Sequence, residues 1–268
     1  QSDIANWQGM SKEITDFQEK TGEFTYWTNS MFGGMPGYQI SAVYPYMIVK
    51  YIDKIITLGL PTPANYLFLL MAGFYFLLLT LGVDRRVAIM GAIGFAFSSY
   101  FLIFIGTGHN SKAHAIGYMA PVIAGIIMTY RGRILLGASI TGLALALELY
   151  ANHLQITYYL MIITVLLGGL FLYEAIIGKK LADFAKASAL LIVVAGLAVA
   201  SNITNLWATQ EYGEHSTRGP SELTVDKANL TTGLDRDYIT DWSYGIGETF
   251  TFLIPDFKGG ASEAIQTN

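Results

Sequence analysis

From Pro63 to Trp207 the chain alternates strongly apolar segments with short connections, and this pattern leaves few folds open. The segments lie near 64–82, 87–105, 113–130, 134–150, 155–177 and 185–206. A helix needs about 20 apolar residues, within a range of about 17–25, to cross the hydrocarbon of a bilayer. In lipid every backbone N–H and C=O must be satisfied within the protein, and a helix does this inside one segment. The expected fold class is therefore all-α, a polytopic transmembrane helix bundle, with Pro121 kinking the third span. Composition agrees, since 13% of residues are charged where soluble domains carry about 25%. A formal net charge of -4 gives no basis for a nucleic-acid partner. The absence of cysteine removes thiolate nucleophiles and Cys-based metal sites.

The connections set the expected orientation. Arg85 and Arg86 follow the first span, Arg131 and Arg133 the third, and Lys179, Lys180 and Lys186 the fifth. Lysine and arginine concentrate in cytoplasmic loops, so these three turns are expected inside. Residues 1–60, the other turns and residues 207–268 are then outside. The domain reading follows: an outer segment over 1–60, a six-helix bundle over 61–206 and an outer, truncated region over 207–268. Tyr100, Tyr150, Tyr158 and Trp207 fall near the outer ends, as an interfacial aromatic belt would. Gln1 at the start and the polar Glu263 to Asn268 at the end read as part of a longer protein.

In the first segment, Met10, Ile14 and Phe17 predict a helix over about 10–20, stopped at Thr21-Gly22. Phe32 to Gly37 reads as a loop. Over 46–58, Met47, Ile48, Tyr51, Ile52, Ile55 and Ile56 share one face and Lys50, Asp53, Lys54 and Thr57 the other. Such a helix is expected to lie in the membrane interface instead of crossing it.

On this topology all four histidines, His109, His114, His153 and His215, fall outside. Gly106 to His114 is a polar break between two apolar runs, and Asn110 or Ser111 is placed to cap the third span. Lys112 would sit in that helix's first turn, where a cation is unfavourable unless an anion joins it. A helix start with a lysine and a histidine suits a phosphate group; a solvated hairpin with a snorkelling lysine accounts for the same residues. Glu148, Asn152 and Gln155 lie at i, i+4 and i+7, with His153 adjacent. Glu148 is an acid inside a span, a costly placement that is often functional. Asn202 and Asn205 read as interhelical hydrogen-bonding residues. Gly245 to Glu248 lacks the context of a dinucleotide loop, and Asp235-Arg236-Asp237 is a spacing common in loops.

Several stretches together resemble the bacterial YfhO-type membrane proteins. These are Ser2-Asp3-Ile4-Ala5-Asn6-Trp7-Gln8, Trp27-Thr28-Asn29-Ser30-Met31-Phe32-Gly33-Gly34, Gly108-His109-Asn110-Ser111-Lys112, Asn152-His153-Leu154-Gln155 and Trp242-Ser243-Tyr244-Gly245-Ile246-Gly247-Glu248. That family is in turn similar to the GT-C glycosyltransferases, multi-span enzymes that take a sugar from a polyprenyl-phosphate donor. The resemblance implies a GT-C-like fold in a bacterial inner (cytoplasmic) membrane. Its first outer loop would carry an essential acid, matched by Asp3, and two juxtamembrane helices. No second acid adjoins Asp3, a departure from many GT-C enzymes.

The resemblance implies further that Asp3 deprotonates the acceptor or holds a divalent metal ion (Mg or Mn) that does so. Lys112, with His109 or Arg218, would stabilise the departing phosphate. His114, Glu148, Asn152, His153, His215 and Glu248 complete the outer-face candidates. The implied partners are the polyprenyl-phosphate sugar donor, an envelope glycan, lipid or polymer acceptor, and membrane lipids. A transporter or lipid-handling protein, or a non-catalytic envelope scaffold, are the alternatives.

Overall fold

The computed structural model describes residues 2–41, 47–213 and 245–254, with positions 216, 240, 243, 257 and 258 besides; for Ser2, Asp3 and Phe252 it describes the backbone alone. The chain divides into two compact units, Gln1–Ile203 and Thr204–Asn268. Helix dominates, and the described strands form one two-residue pairing.

Helix α1 runs over Ser2–Thr21 and so begins well before residue 10. Ile4 and Trp7 extend the spacing of Ser11, Ile14 and Phe17 backwards, and Asp3 therefore lies in a first helical turn, not ahead of one. Ser11 and Ile14 face inward. The Trp7 indole donates to the Ile40 carbonyl at 3.0 Å, tying the helix to the following loop. That loop is ordered by a small antiparallel pair, β1 (Trp27–Thr28) and β2 (Met35–Pro36). The Glu13 carboxylate locks the pair to α1. It accepts the Thr28 hydroxyl and the N–H groups of Asn29 and Ser30, the latter two at 2.9 Å.

Helix α2 (Ile48–Ile56) falls within the expected amphipathic segment but presents three sectors instead of two. Val49, Ile52, Asp53, Ile56 and Thr57 turn toward the protein. Ile48, Tyr51 and Ile55 form an exposed apolar sector, and Lys50 and Lys54 an exposed cationic one. Asp53 thus leaves the lysine face to which its spacing assigned it. An apolar sector bordered by lysines suits a helix lying at a membrane surface, where lysines reach the head groups.

The bundle follows as α3 (Ala64–Thr80), α4 (Arg85–Ala96), α5 (Ser99–Thr107), α6 (Asn110–Tyr130), α7 (Ile134–Tyr150), α8 (Leu154–Ile177) and α9 (Leu181–Ser201). Three of these, α6, α8 and α9, are long and apolar enough to cross a membrane; α4 with α5 makes a fourth if that pair is one span bent by 40°. The break falls at Phe97-Ser98, inside the expected continuous segment 87–105. Ser98 adopts extended backbone and starts α5 afresh. Helices α3 and α7 are apolar but 17 residues each. Helix α6 continues through Pro121, whose ring lies against Gly73 of α3.

Helix α6 is the centre. Of its apolar stretch 72% is buried, against 11% in α8 and 11% in α9. Those outer helices expose long apolar faces that only lipid or further protein suits. Small residues bring α6 and α7 together. A Cβ on Gly137 would lie 2.5 Å from the Thr129 nitrogen and 2.6 Å from the Gly125 carbonyl, so glycine is required there. The last segment ends at Asn202, whose Nδ2 donates to the carbonyls of Ala146 at 3.0 Å and Ala198 at 3.1 Å. Asn202 is therefore an interhelical tie to α7.

The second unit holds Thr204 onward of α10 (Ile203–Gly213) and a 3-10 turn over Ile246–Phe252.

Candidate functional site: the histidine end of the bundle

The bundle has two chemically distinct ends. One carries Arg85 and Arg86 in the first turn of α4, with Arg131, Arg133, Lys179 and Lys180 in the α6–α7 and α8–α9 connections. The Arg131 guanidinium donates to the Thr80 carbonyl at 2.9 Å, which places the C-termini of α6 and α3 side by side there. The other end gathers His109, Lys112, His114 and His153 with the start of α3 and the end of α7.

At this end α5 terminates on Gly108, whose φ of +105° lies in the left-handed region that glycine adopts freely. The chain can then turn at once into α6. His109, not Asn110 or Ser111, is the capping residue, and its side chain makes no cap bond. With Gly108 left-handed, helical geometry begins already at Asn110, so Asn110 and Ser111 fall inside the first turn.

Lys112 projects onto α5. Its ammonium lies 5.3 Å from the Tyr100 ring centroid and 5.2 Å from that of Phe104. The ring faces offset part of the cost of a cation at a helix start, and among the described residues no carboxylate pairs with it.

His153 occupies the equivalent place at the start of α8, again with no side-chain cap. Its Nδ1 is buried and, among the described residues, has no hydrogen-bond partner. Burial first, then the neighbouring Lys112 and His109 side chains, hold its imidazole below the ordinary value. That electrostatic coupling puts the three cationic or potentially cationic groups in one neighbourhood, beside the N-termini of α6 and α8. Asn152 is exposed at φ +54°, in the left-handed region, and makes the α7–α8 turn. Asparagine tolerates that conformation, so turn geometry accounts for it.

One turn further along α6, His114 points elsewhere. It is 9% exposed and its Nε2 lies 2.6 Å from Asp53 Oδ1. The Tyr118 hydroxyl donates to the same oxygen at 2.7 Å. The rings of Tyr66 and Tyr118 stand 5.4 Å from the imidazole and that of Tyr150 6.2 Å away, edge-on. Helices α2, α3, α6 and α7 therefore meet on one carboxylate–imidazole–phenol group. His109 and His114, five residues apart, diverge as a regular helix requires. Glu148 is completely buried, and its carboxyl accepts the Thr157 hydroxyl at 3.0 and 3.1 Å, joining α7 to α8. Its bonds to Thr157 are structural and separate from the Asp53 group.

The remaining sequence candidates divide. His215 and Arg218 lie outside the described residues, as do Asp235 and Asp237, and so does the side chain of Asp3. Glu248 belongs to the second unit, where its carboxylate accepts the Gly245 N–H at 2.9 Å and closes a local turn. Among the described residues no three acidic or histidine side chains are placed to hold a metal ion.

Asp53 was the residue that periodicity hid. Its signal was local: an acid bordered by Val49, Ile52 and Ile56, at the edge of an apolar stripe and not within the lysine pair. Comparison with protein-family models, curated proteins and solved structures finds no match to this chain.

Proposed function

We propose that the chain forms the membrane part of a glycosyltransferase that takes a sugar from a polyprenyl-phosphate donor. The sugar passes to a cell-envelope acceptor at the outer face of the bacterial cytoplasmic membrane. The observation that carries this reading is the gathering of Lys112, His109 and His153 beside the N-termini of α6 and α8. A lysine, two histidines and the positive ends of two helices together complement a phosphate. In this reading α3, the α4–α5 pair, α6, α7, α8 and α9 make six crossings, as in a GT-C-like bundle. The basic end faces the cytoplasm, and α2 lies along the outer interface.

The chemistry is a displacement at the anomeric carbon. The acceptor oxygen forms the new bond, the bond to the donor phosphate oxygen breaks, and the phosphate leaves with the electron pair. Lys112, aided by His109, stabilises that charge. A carboxylate takes the acceptor proton, and by resemblance it is Asp3.

Asp3→Asn and Lys112→Ala, assayed with a radiolabelled polyprenyl-phosphate sugar in membranes, test the reading. Asp3→Asn is expected to abolish transfer with insertion unchanged. Lys112→Ala is expected to raise donor KM or lower kcat by about tenfold or more, the loss of one charge-assisted contact. Unchanged kinetics in Lys112→Ala would remove the phosphate site.

A further inference from the structure

The basic end of the bundle holds a second feature, independent of the proposed transfer reaction. A cavity of 680 Å³ opens between the α6–α7 turn and the α8–α9 hairpin. That volume is within the range of about 300–1,000 Å³ usual for small-molecule sites. Its apolar wall is a stack of three rings: Tyr130 lies between Phe171, 4.7 Å away, and Phe184, 5.2 Å away, both nearly parallel to it. The Tyr130 hydroxyl and the Ser188 hydroxyl are 2.9 Å apart, which fixes the stack to α9.

The charged lining is Arg131, Lys180, Glu174 and Asp183. Two cations and two acids thus face one space, yet among the described residues no ion pair joins them. Arg131 uses one nitrogen on the Thr80 carbonyl and keeps other guanidinium donors. Glu174, Lys180 and Asp183 are exposed. Opposite charges that could neutralise one another but stand apart suit a ligand carrying both signs. The cavity also opens where α8 and α9 expose Leu170, Ile177 and Leu181, an apolar track leading away from it.

We propose that this cavity holds the head group of a zwitterionic phospholipid bearing a primary ammonium. Its phosphate lies against Arg131 and Lys180, and its ammonium between Glu174 and Asp183. Acyl chains follow the exposed faces of α8 and α9. Both signs in the lining select against a purely anionic head group. Carboxylate acceptors favour an ammonium that donates hydrogen bonds over a quaternary one that cannot.

The test is native mass spectrometry of the delipidated chain, titrated with phosphatidylethanolamine, phosphatidylcholine or phosphatidylglycerol of identical acyl chains. Soluble phosphoethanolamine serves as a competitor. Phosphatidylethanolamine is expected to bind about tenfold more tightly than phosphatidylcholine, the value of one charge-assisted hydrogen bond. The double variant Glu174→Gln/Asp183→Asn should bring the two to parity. Lys180→Ala should weaken both. These side chains are exposed and in no ion pair among the described residues, so the variants should keep wild-type helicity, and the lipid comparison in the unmodified chain needs no variant. Equal binding of phosphatidylethanolamine and phosphatidylcholine would overturn the proposal. So would a preference for phosphatidylglycerol, or an ethanolamine preference that survives the double variant. Soluble phosphoethanolamine displacing the lipid at equal concentration would refute a lipid as the occupant.

Discussion

Asp53→Ala removes the acceptor on which α2 is held. Asp53 Oδ1 takes bonds of 2.6 Å from His114 and 2.7 Å from Tyr118, and the side chains of His114 and Asp53 are only 11% and 16% exposed. A hydrogen bond to a charged group contributes about 1.5–3 kcal/mol. Sharing one oxygen makes the two bonds less than additive, so the expected loss of α2 docking is about 3 kcal/mol. Tyr118→Phe keeps the ring and should cost about 1–2 kcal/mol. The assay is amide hydrogen exchange over Lys50 to Ile56 in detergent micelles, which reads local opening apart from global unfolding. Asp53→Ala should raise exchange in α2 by about a hundredfold, with little change in the centre of α6. In Asp53→Ala the Tyr118 hydroxyl has already lost its acceptor, so adding Tyr118→Phe should change almost nothing further. Additive effects, or α2 exchange unchanged in Asp53→Ala, would refute the view that this carboxylate anchors the helix.

Gly137→Ala should destabilise the bundle by about 2 kcal/mol or more through overpacking, since its Cβ would meet α6 backbone at 2.5 Å. Gly168→Ala, with nothing within 4 Å, is the matched control and should be neutral or slightly stabilising in thermal unfolding. The Thr28 hydroxyl and then the N–H groups of Asn29 and Ser30 hold the Glu13 carboxyl below its ordinary 4.5. Its contribution is present above pH 4.5 and lost as pH falls through the lower folded value. Protease cleavage between Thr25 and Pro36 should therefore increase in strong acid and, at neutral pH, in Glu13→Gln. Burial and the neighbouring cations depress His153, so its NMR titration midpoint should lie below 6.5 and rise when a polyprenyl phosphate binds. A midpoint insensitive to that lipid would place the phosphate elsewhere.

The apolar segments were legible because membrane crossing is a demand on composition, and helices α3 to α9 fall on them. Departures came where a few polar atoms redirect the backbone. Phe97-Ser98 breaks α4 from α5, and the left-handed Gly108 lets α6 start at Asn110. Both signals are short and sit inside strong apolar averages. The start of α1 was missed because Ile4 and Trp7 stand among polar residues. In the candidate site, the clustering of histidines at one end followed from counting spans. The Asp53–His114 bond joins residues 61 positions apart, and no local pattern encodes such a pairing. Periodicity even pointed the wrong way, because Asp53 is three residues from Lys50 and adjacent to Lys54.

The first two turns of α6 join these features. Lys112 extends from one side of the helix onto the Tyr100 and Phe104 rings, while His114 and Tyr118 extend from the other into the Asp53 group. The helix start that presents the cation is therefore braced from behind by α2. This makes α2 a positioning element for the proposed phosphate site, and it separates two kinds of loss. Lys112→Ala removes charge and should weaken donor binding with α2 still protected from exchange. Asp53→Ala should free α2 first and weaken donor binding only through the displaced helix start. Tyr118→Phe, which retains the His114 bond, should fall between wild type and Asp53→Ala in both measurements. If donor affinity fell in Asp53→Ala while α2 exchange stayed unchanged, Asp53 would be acting on the substrate directly, and the brace would be the wrong description.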